Sequence, residues 1–104
     1  MIQLRVKLRD PVYPARRAIY EPHLRVMLNQ EAYFFSGKVA LKRFQSDPTR
    51  YSGPLTDPVT QTRFQPTSRS PRLDFQGRTY FFESETTKRQ FETAPATYSV
   101  RRET

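Results

Sequence analysis

Over residues 1–8 apolar and polar side chains alternate, Ile2, Leu4, Val6 and Leu8 falling on one side and Gln3, Arg5 and Lys7 on the other. That period of two predicts a half-buried strand. Two later stretches predict hairpins: residues 24–28 and 32–35 flank Asn29-Gln30, and residues 73–75 and 78–82 flank Gln76-Gly77. Each hairpin closes on an aromatic triplet, Tyr33-Phe34-Phe35 or Tyr80-Phe81-Phe82. The period then lengthens to that of a helix, over residues 37–45 in the first case and 85–93 in the second, where Ser84 is placed to cap and Glu85 suits the positive helix end. Pro48 and Pro95 follow as helix stops. On the first helix Val39, Ala40 and Phe44 are expected on one buried face with Leu41 beside it, and Lys38, Lys42 and Arg43 on a basic outer face. The second offers Phe91 as its only large apolar side chain, so peripheral packing and easier fraying are expected of it. Residues 60–71 read as a loop and residues 101–104 as a tail.

The two hairpin-helix stretches are one motif written twice. Residues 8–52 align with residues 55–99 at a constant offset of 47 without a gap, and 13 of the 45 pairs are identical. Asp10-Pro11-Val12 meets Asp57-Pro58-Val59, the aromatic triplets meet, and Phe44, Pro48, Tyr51 and Ser52 meet Phe91, Pro95, Tyr98 and Ser99. Arg16 and Arg25 likewise meet Arg63 and Arg72. A unit this short rarely buries enough apolar surface by itself, so the copies are expected to share a core. The repeat divides the chain into residues 1–53, strand plus first copy, and residues 54–104, second copy plus basic tail. The fold class expected is α+β.

Composition narrows the chemistry. The 104 residues contain no cysteine, so disulfides and thiolate metal sites are excluded and stability must come from packing, chiefly of eight Phe and six Tyr. Eighteen Lys and Arg against ten Asp and Glu give a formal charge of +8, which favours an acidic partner: nucleic acid, an acidic protein face or anionic lipid. No stretch has the apolar length of a membrane span and the first residues lack a signal-peptide pattern, so a cytoplasmic protein is expected.

With Asp57-Pro58-Val59, the run Phe75-Gln76-Gly77-Arg78-Thr79-Tyr80-Phe81-Phe82, Phe91 and Pro95-Ala96-Thr97-Tyr98, the chain resembles the YHS domain, a relative of the TRASH metal-sensing fingers. The resemblance covers the second copy and, more weakly, the first, where Gln30 replaces the turn glycine. It implies a small treble-clef-like unit of hairpin and helix, ordinarily clamped by a metal held by cysteines after Asp-Pro-Val, after the triplet and four residues further on. At those positions this chain has Tyr13, Ser36 and Ala40 in one copy and Thr60, Glu83 and Thr87 in the other. Hydroxyls and a methyl do not make a closed shell for a borderline metal. The family's metal role is therefore not carried over, no cofactor is expected, and one copy is expected to buttress the other.

Candidate chemistry is sparse. His23, the single histidine, aligns with Ser70 and is expected in a surface loop. No nucleophile elbow, phosphate loop, His-Glu-x-x-His run or close carboxylate pair is present, so an enzyme is not expected. The triplets build core, but alternation turns Phe34 and Phe81 away from their neighbours and makes them candidate contacts. The dibasic pairs Arg16-Arg17, Lys42-Arg43, Lys88-Arg89 and Arg101-Arg102, with Lys38, are the other candidates: gathered on one side they bind phosphate backbone, scattered they solvate. The function expected first is a non-catalytic, metal-free tandem module that binds or braces a macromolecule as an accessory subunit of a protein complex. The alternative is RNA binding, and a third is residual metal binding through oxygen ligands.

Overall fold

A computed structural model of the chain describes residues 9–99. The predicted N-terminal strand and the tail carrying Arg101 and Arg102 lie outside the described residues. The chain forms an α+β structure from a mixed four-stranded sheet, a two-stranded sheet and short helices. After a 3-10 turn at Pro22–Leu24 come β1 (Arg25–Leu28), β2 (Glu31–Phe34), α1 (Lys38–Ser46) and α2 (Pro48–Ser52). Two short strands follow, β3 (Leu55–Thr56) and β4 (Arg63–Phe64), and then β5 (Arg72–Phe75), β6 (Arg78–Phe81), α3 (Glu85–Thr93) and α4 (Pro95–Tyr98). The larger sheet runs β2-β1-β6-β5. The starts of β5, β6, α3 and α4 lie 47 residues after those of β1, β2, α1 and α2, the offset of the sequence repeat.

By their contacts the residues fall into two units. Among the described residues, the first holds residues 9–27 together with Glu31–Ser52, and the second holds Leu28–Gln30 and residues 53–99. In the first, Leu24, Tyr33, Phe35, Ala40 and Phe44 are buried, and the Phe44 ring lies 5.0 Å from Tyr33 and 5.1 Å from Phe35. In the second, Phe91 occupies the same role, with Tyr80 at 4.9 Å, Phe82 at 5.3 Å, Phe75 at 6.0 Å and Tyr98 at 6.2 Å. The helix expected to be peripheral thus supplies the ring around which its unit packs: Phe91 is 0% exposed. One aromatic anchor suffices because four other rings converge on it.

The tip of the first hairpin has its own logic. Asn29 and Gln30 both take positive φ, 48° and 64°, as Gln76 and Gly77 do at 52° and 74°. Two left-handed residues in succession are what a tight hairpin requires, and only the second hairpin meets the demand with glycine. Asn29 offsets its strain with hydrogen bonds. Its buried carboxamide donates to the Thr56 and Phe81 carbonyls, each at 2.9 Å, and accepts from the Phe81 N–H at 2.7 Å. It so continues the pairing that Leu28 makes with Thr79 in the parallel register of β1 with β6. Gln30 donates to the Tyr98 carbonyl at 3.3 Å.

Four expectations need correction. Val39 is 68% exposed rather than buried with Ala40 and Phe44. Ala40 and Phe44 are one helical turn apart, whereas Val39 sits about 140° around the axis from Phe44. Phe81, expected to be a surface contact, is 4% exposed and its backbone is tied to Asn29. Pro48 and Pro95 end helices as expected, but each also opens a further short helix, since the fixed φ and missing N–H of proline are compatible with a first turn. The stretch of residues 60–71 contains β4, which pairs antiparallel with β3 through Leu55↔Phe64 and Thr56↔Arg63.

Candidate functional site

Each Asp-Pro-Val turn is organised by its aspartate. In the first unit one Asp10 oxygen accepts the Val12 N–H at 2.7 Å and the Tyr13 N–H at 3.0 Å. The other accepts the Ser36 N–H at 2.8 Å and its hydroxyl at 2.7 Å. In the second unit Asp57 accepts Val59 N–H at 2.8 Å and Thr60 N–H at 3.2 Å on one oxygen. Its other oxygen takes Glu83 N–H at 3.0 Å and the Thr87 hydroxyl at 2.8 Å. Asp57 therefore joins a turn, the residue after the aromatic triplet and the first helical turn. Both carboxylates are buried, and each is fully supplied with donors, as a buried charge must be.

Local pattern marks Asp-Pro-Val as a turn opener and does not mark its aspartate as a hub. The available signal was the same aspartate before proline in both copies, because Asx side chains bond the backbone two and three residues on. Burial alone pushes the Asp10 carboxyl up, but the bonds from Ser36 hydroxyl, Ser36 N–H, Tyr13 N–H and Val12 N–H outweigh it and hold the group below its ordinary value of 3.8. The folded state then binds this proton more weakly than the unfolded state does. Its stabilisation is complete above the ordinary value and is lost as pH falls through the depressed one. The urea midpoint of the wild type is expected to fall as pH drops below 3.8, and less steeply in Asp10→Asn; equal slopes would remove Asp10 as the cause.

Glu83, the single carboxylate at a position where the YHS pattern has a metal ligand, is spoken for. The hydroxyls of Thr60 and Thr62 donate to its two oxygens at 3.3 and 2.9 Å. Among the described residues no group of three or more His, Asp or Glu side chains is arranged to hold a metal ion. His23 sits in the 3-10 turn, exposed, 3.2 Å from the Glu21 carboxylate.

The basic side chains are unevenly gathered. In the first unit the guanidinium of Arg16 lies over the Tyr13 ring at 5.0 Å from its centroid, and that of Arg43, from α1, lies 5.9 Å from the same centroid. Arg9 and Arg17 face each other across an antiparallel bridge, beside the bond from Asp10 N–H to the Arg16 carbonyl at 3.0 Å. The loop of residues 9–17 and α1 so bring Arg16 and Arg43, from two separate dibasic pairs, to one ring, and the bridge sets Arg9 opposite Arg17. Among the described residues none of the four has a carboxylate in ion-pair range. Lys38 and Lys42 are exposed on α1. In the second unit Arg89 is exposed and Lys88 half-buried on α3.

Exposed apolar groups also sit in the first unit. Tyr20 is 50% exposed, Ile19 is 42% exposed, and Val39 completes the set of large exposed hydrophobic residues among the described ones. The half-buried Phe34 meets the Tyr20 ring edge-on, with centroids 5.2 Å apart and planes at 85°. Nothing in the sequence distinguishes Tyr20, an isolated tyrosine beside a proline turn. No helix among the described residues is long and apolar enough to cross a membrane. Compared with protein-family models, curated proteins and solved structures, the chain matches none of them.

Proposed function

We propose that the chain is a non-catalytic, metal-free tandem module of the YHS type, two treble-clef-like copies of one hairpin-helix unit, which attaches to an acidic macromolecular partner through its first copy. The observation that carries this is the asymmetry of charge. Among the described residues the first unit has eight Lys and Arg against four Asp and Glu, while the second has six against five. The large exposed apolar side chains belong to the first unit as well. Basic charge beside exposed apolar surface is the composition of a contact rather than of a uniformly solvated face.

The two buried aspartates support the YHS part of the proposal. Asp57 gathers Thr60, Glu83 and Thr87, the three positions at which the family pattern has cysteine, and Asp10 gathers two of their counterparts, Tyr13 and Ser36. A charged hydrogen-bond hub then links the chain segments a metal would otherwise link, and metal binding would no longer be needed for folding.

Tagged protein bound to its native lysate and eluted in salt steps tests the contact. Material held by the wild type is expected to be lost from a variant with Arg16, Arg17, Lys42 and Arg43 changed to Gln, and retained by one with Lys88 and Arg89 changed to Gln. Equal retention by both variants would overturn the assignment to the first unit.

A further inference from the structure

We propose that the partner of the first unit is single-stranded nucleic acid, with Arg9, Arg16, Arg17 and Arg43 holding phosphates and the Tyr20 ring receiving an unpaired base. The proposal rests on the binding-module reading and names the partner class of that same surface. Every cation in the loop of residues 9–17 is arginine. Its planar fork matches a phosphate with two parallel bonds and it is less strongly hydrated than an ammonium group. Two of the four are already ordered by the Tyr13 ring, so less side-chain entropy is lost when they engage a ligand. The one carboxylate inside the loop, Asp10, is turned inward and saturated by four donors.

Tyr20 supplies the second feature of a single-strand site, a ring on which a base can stack. It is a half-exposed ring in T-shaped contact with Phe34, which fixes its orientation while half of its surface stays open to solvent. It follows Arg17 by three residues, which keeps the two Cα atoms within about 10 Å. An aromatic platform next to a line of cations is the arrangement that binds single strands with little sequence preference, the charge tracking the backbone and the ring stacking a base. Bases in a duplex are not available to such a ring, which selects the single-stranded form.

The test is fluorescence anisotropy with a short labelled oligouridylate, the same sequence annealed to its complement, and polyglutamate as a carboxylate polymer. Saturable binding to the single strand is expected, with log K falling linearly in log salt at a slope near −3, about 0.7 for each of four phosphates. Arg16→Ala with Arg43→Ala is expected to weaken binding by about tenfold or more and to flatten that slope. Tyr20→Ala is expected to cost about tenfold at unchanged slope, and Tyr20→Phe to restore it. Lys88→Ala with Arg89→Ala, an equal loss of charge in the second unit, is expected to change affinity less than twofold. Melting curves matching the wild type certify that each variant is folded. Polyglutamate binding as tight as the oligonucleotide, or the duplex binding as tightly as the single strand, would overturn the nucleic-acid assignment and leave the module reading standing. Absence of binding to all three polymers at low salt would overturn the nucleic-acid assignment, and only equal retention from lysate by the first-unit and second-unit variants would overturn the module reading with it.

Discussion

Phe91→Ala is expected to be the most damaging single substitution in the second unit, lowering stability by about 3–5 kcal/mol. The ring is 0% exposed and has Tyr80, Phe82, Phe75 and Tyr98 around it, so truncation loses its transfer energy and opens a cavity that four rigid rings fill poorly. For a domain of this size the loss corresponds to a melting temperature lower by about 12 °C or more. Phe91→Leu keeps much of the volume and is expected to cost clearly less. Val39→Ala gives the contrast. Although both residues lie on the two related helices, Val39 is 68% exposed, and its truncation is expected to stay within about 0.5 kcal/mol. Urea denaturation of the three variants measures the difference, and a Phe91→Ala loss below about 1 kcal/mol would mean that α3 is dispensable to its unit.

Asp57→Ala is expected to follow closely, at about 2–4 kcal/mol, because its carboxylate is the common acceptor for four donors. The Thr87 hydroxyl has a second acceptor in the Ser84 carbonyl at 3.1 Å and loses least. The Val59, Thr60 and Glu83 N–H groups have no such reserve among the described contacts. Asp57→Asn separates charge from shape. Its amide oxygen still serves the turn, but its NH2 then faces the Glu83 N–H donor, so about 1–3 kcal/mol of loss is expected despite isosteric size. The variant matters beyond stability, since Asp57 fixes the start of α3 relative to the turn. An Asp57→Asn protein as stable as the wild type would show that the hub is incidental to the fold.

Much of the local structure was legible because it depends on neighbours in sequence. Ser84 caps α3 by accepting the Thr87 N–H at 3.2 Å, and α3 spans Glu85–Thr93 as its pattern predicted. Both hairpins form near the predicted turns, and β1, β2, β5 and β6 differ from the predicted strands by a residue or so at an end. The triplets bury Tyr33, Phe35, Tyr80 and Phe82 as alternation requires. Alternation failed for the middle residue. Phe34 stays half-buried beside the exposed Tyr20, while Phe81 is enclosed, with the Arg72 guanidinium 5.7 Å from its ring centroid and its backbone bonded to Asn29. The candidate contacts split by burial: Lys38, Lys42 and Arg43 remain on the surface of α1, and Phe81 does not.

By itself the sequence determined the repeat, its element order, the absence of cysteine chemistry and an excess of positive charge. These are properties of composition and of short-range pattern, in which a side chain's role is set by residues within one turn or one hairpin. Only the tertiary structure decided that Asp10 and Asp57 are buried hubs, that Asn29 completes the pairing of Phe81, and that Arg43 joins Arg16 at the Tyr13 ring. Each depends on partners 26 to 52 residues apart in the aspartate and asparagine contacts, and 30 residues separate Tyr13 from Arg43. No local period encodes such separations, because they are fixed by where the chain returns after its turns, and the burial and charge of these groups follow from that return.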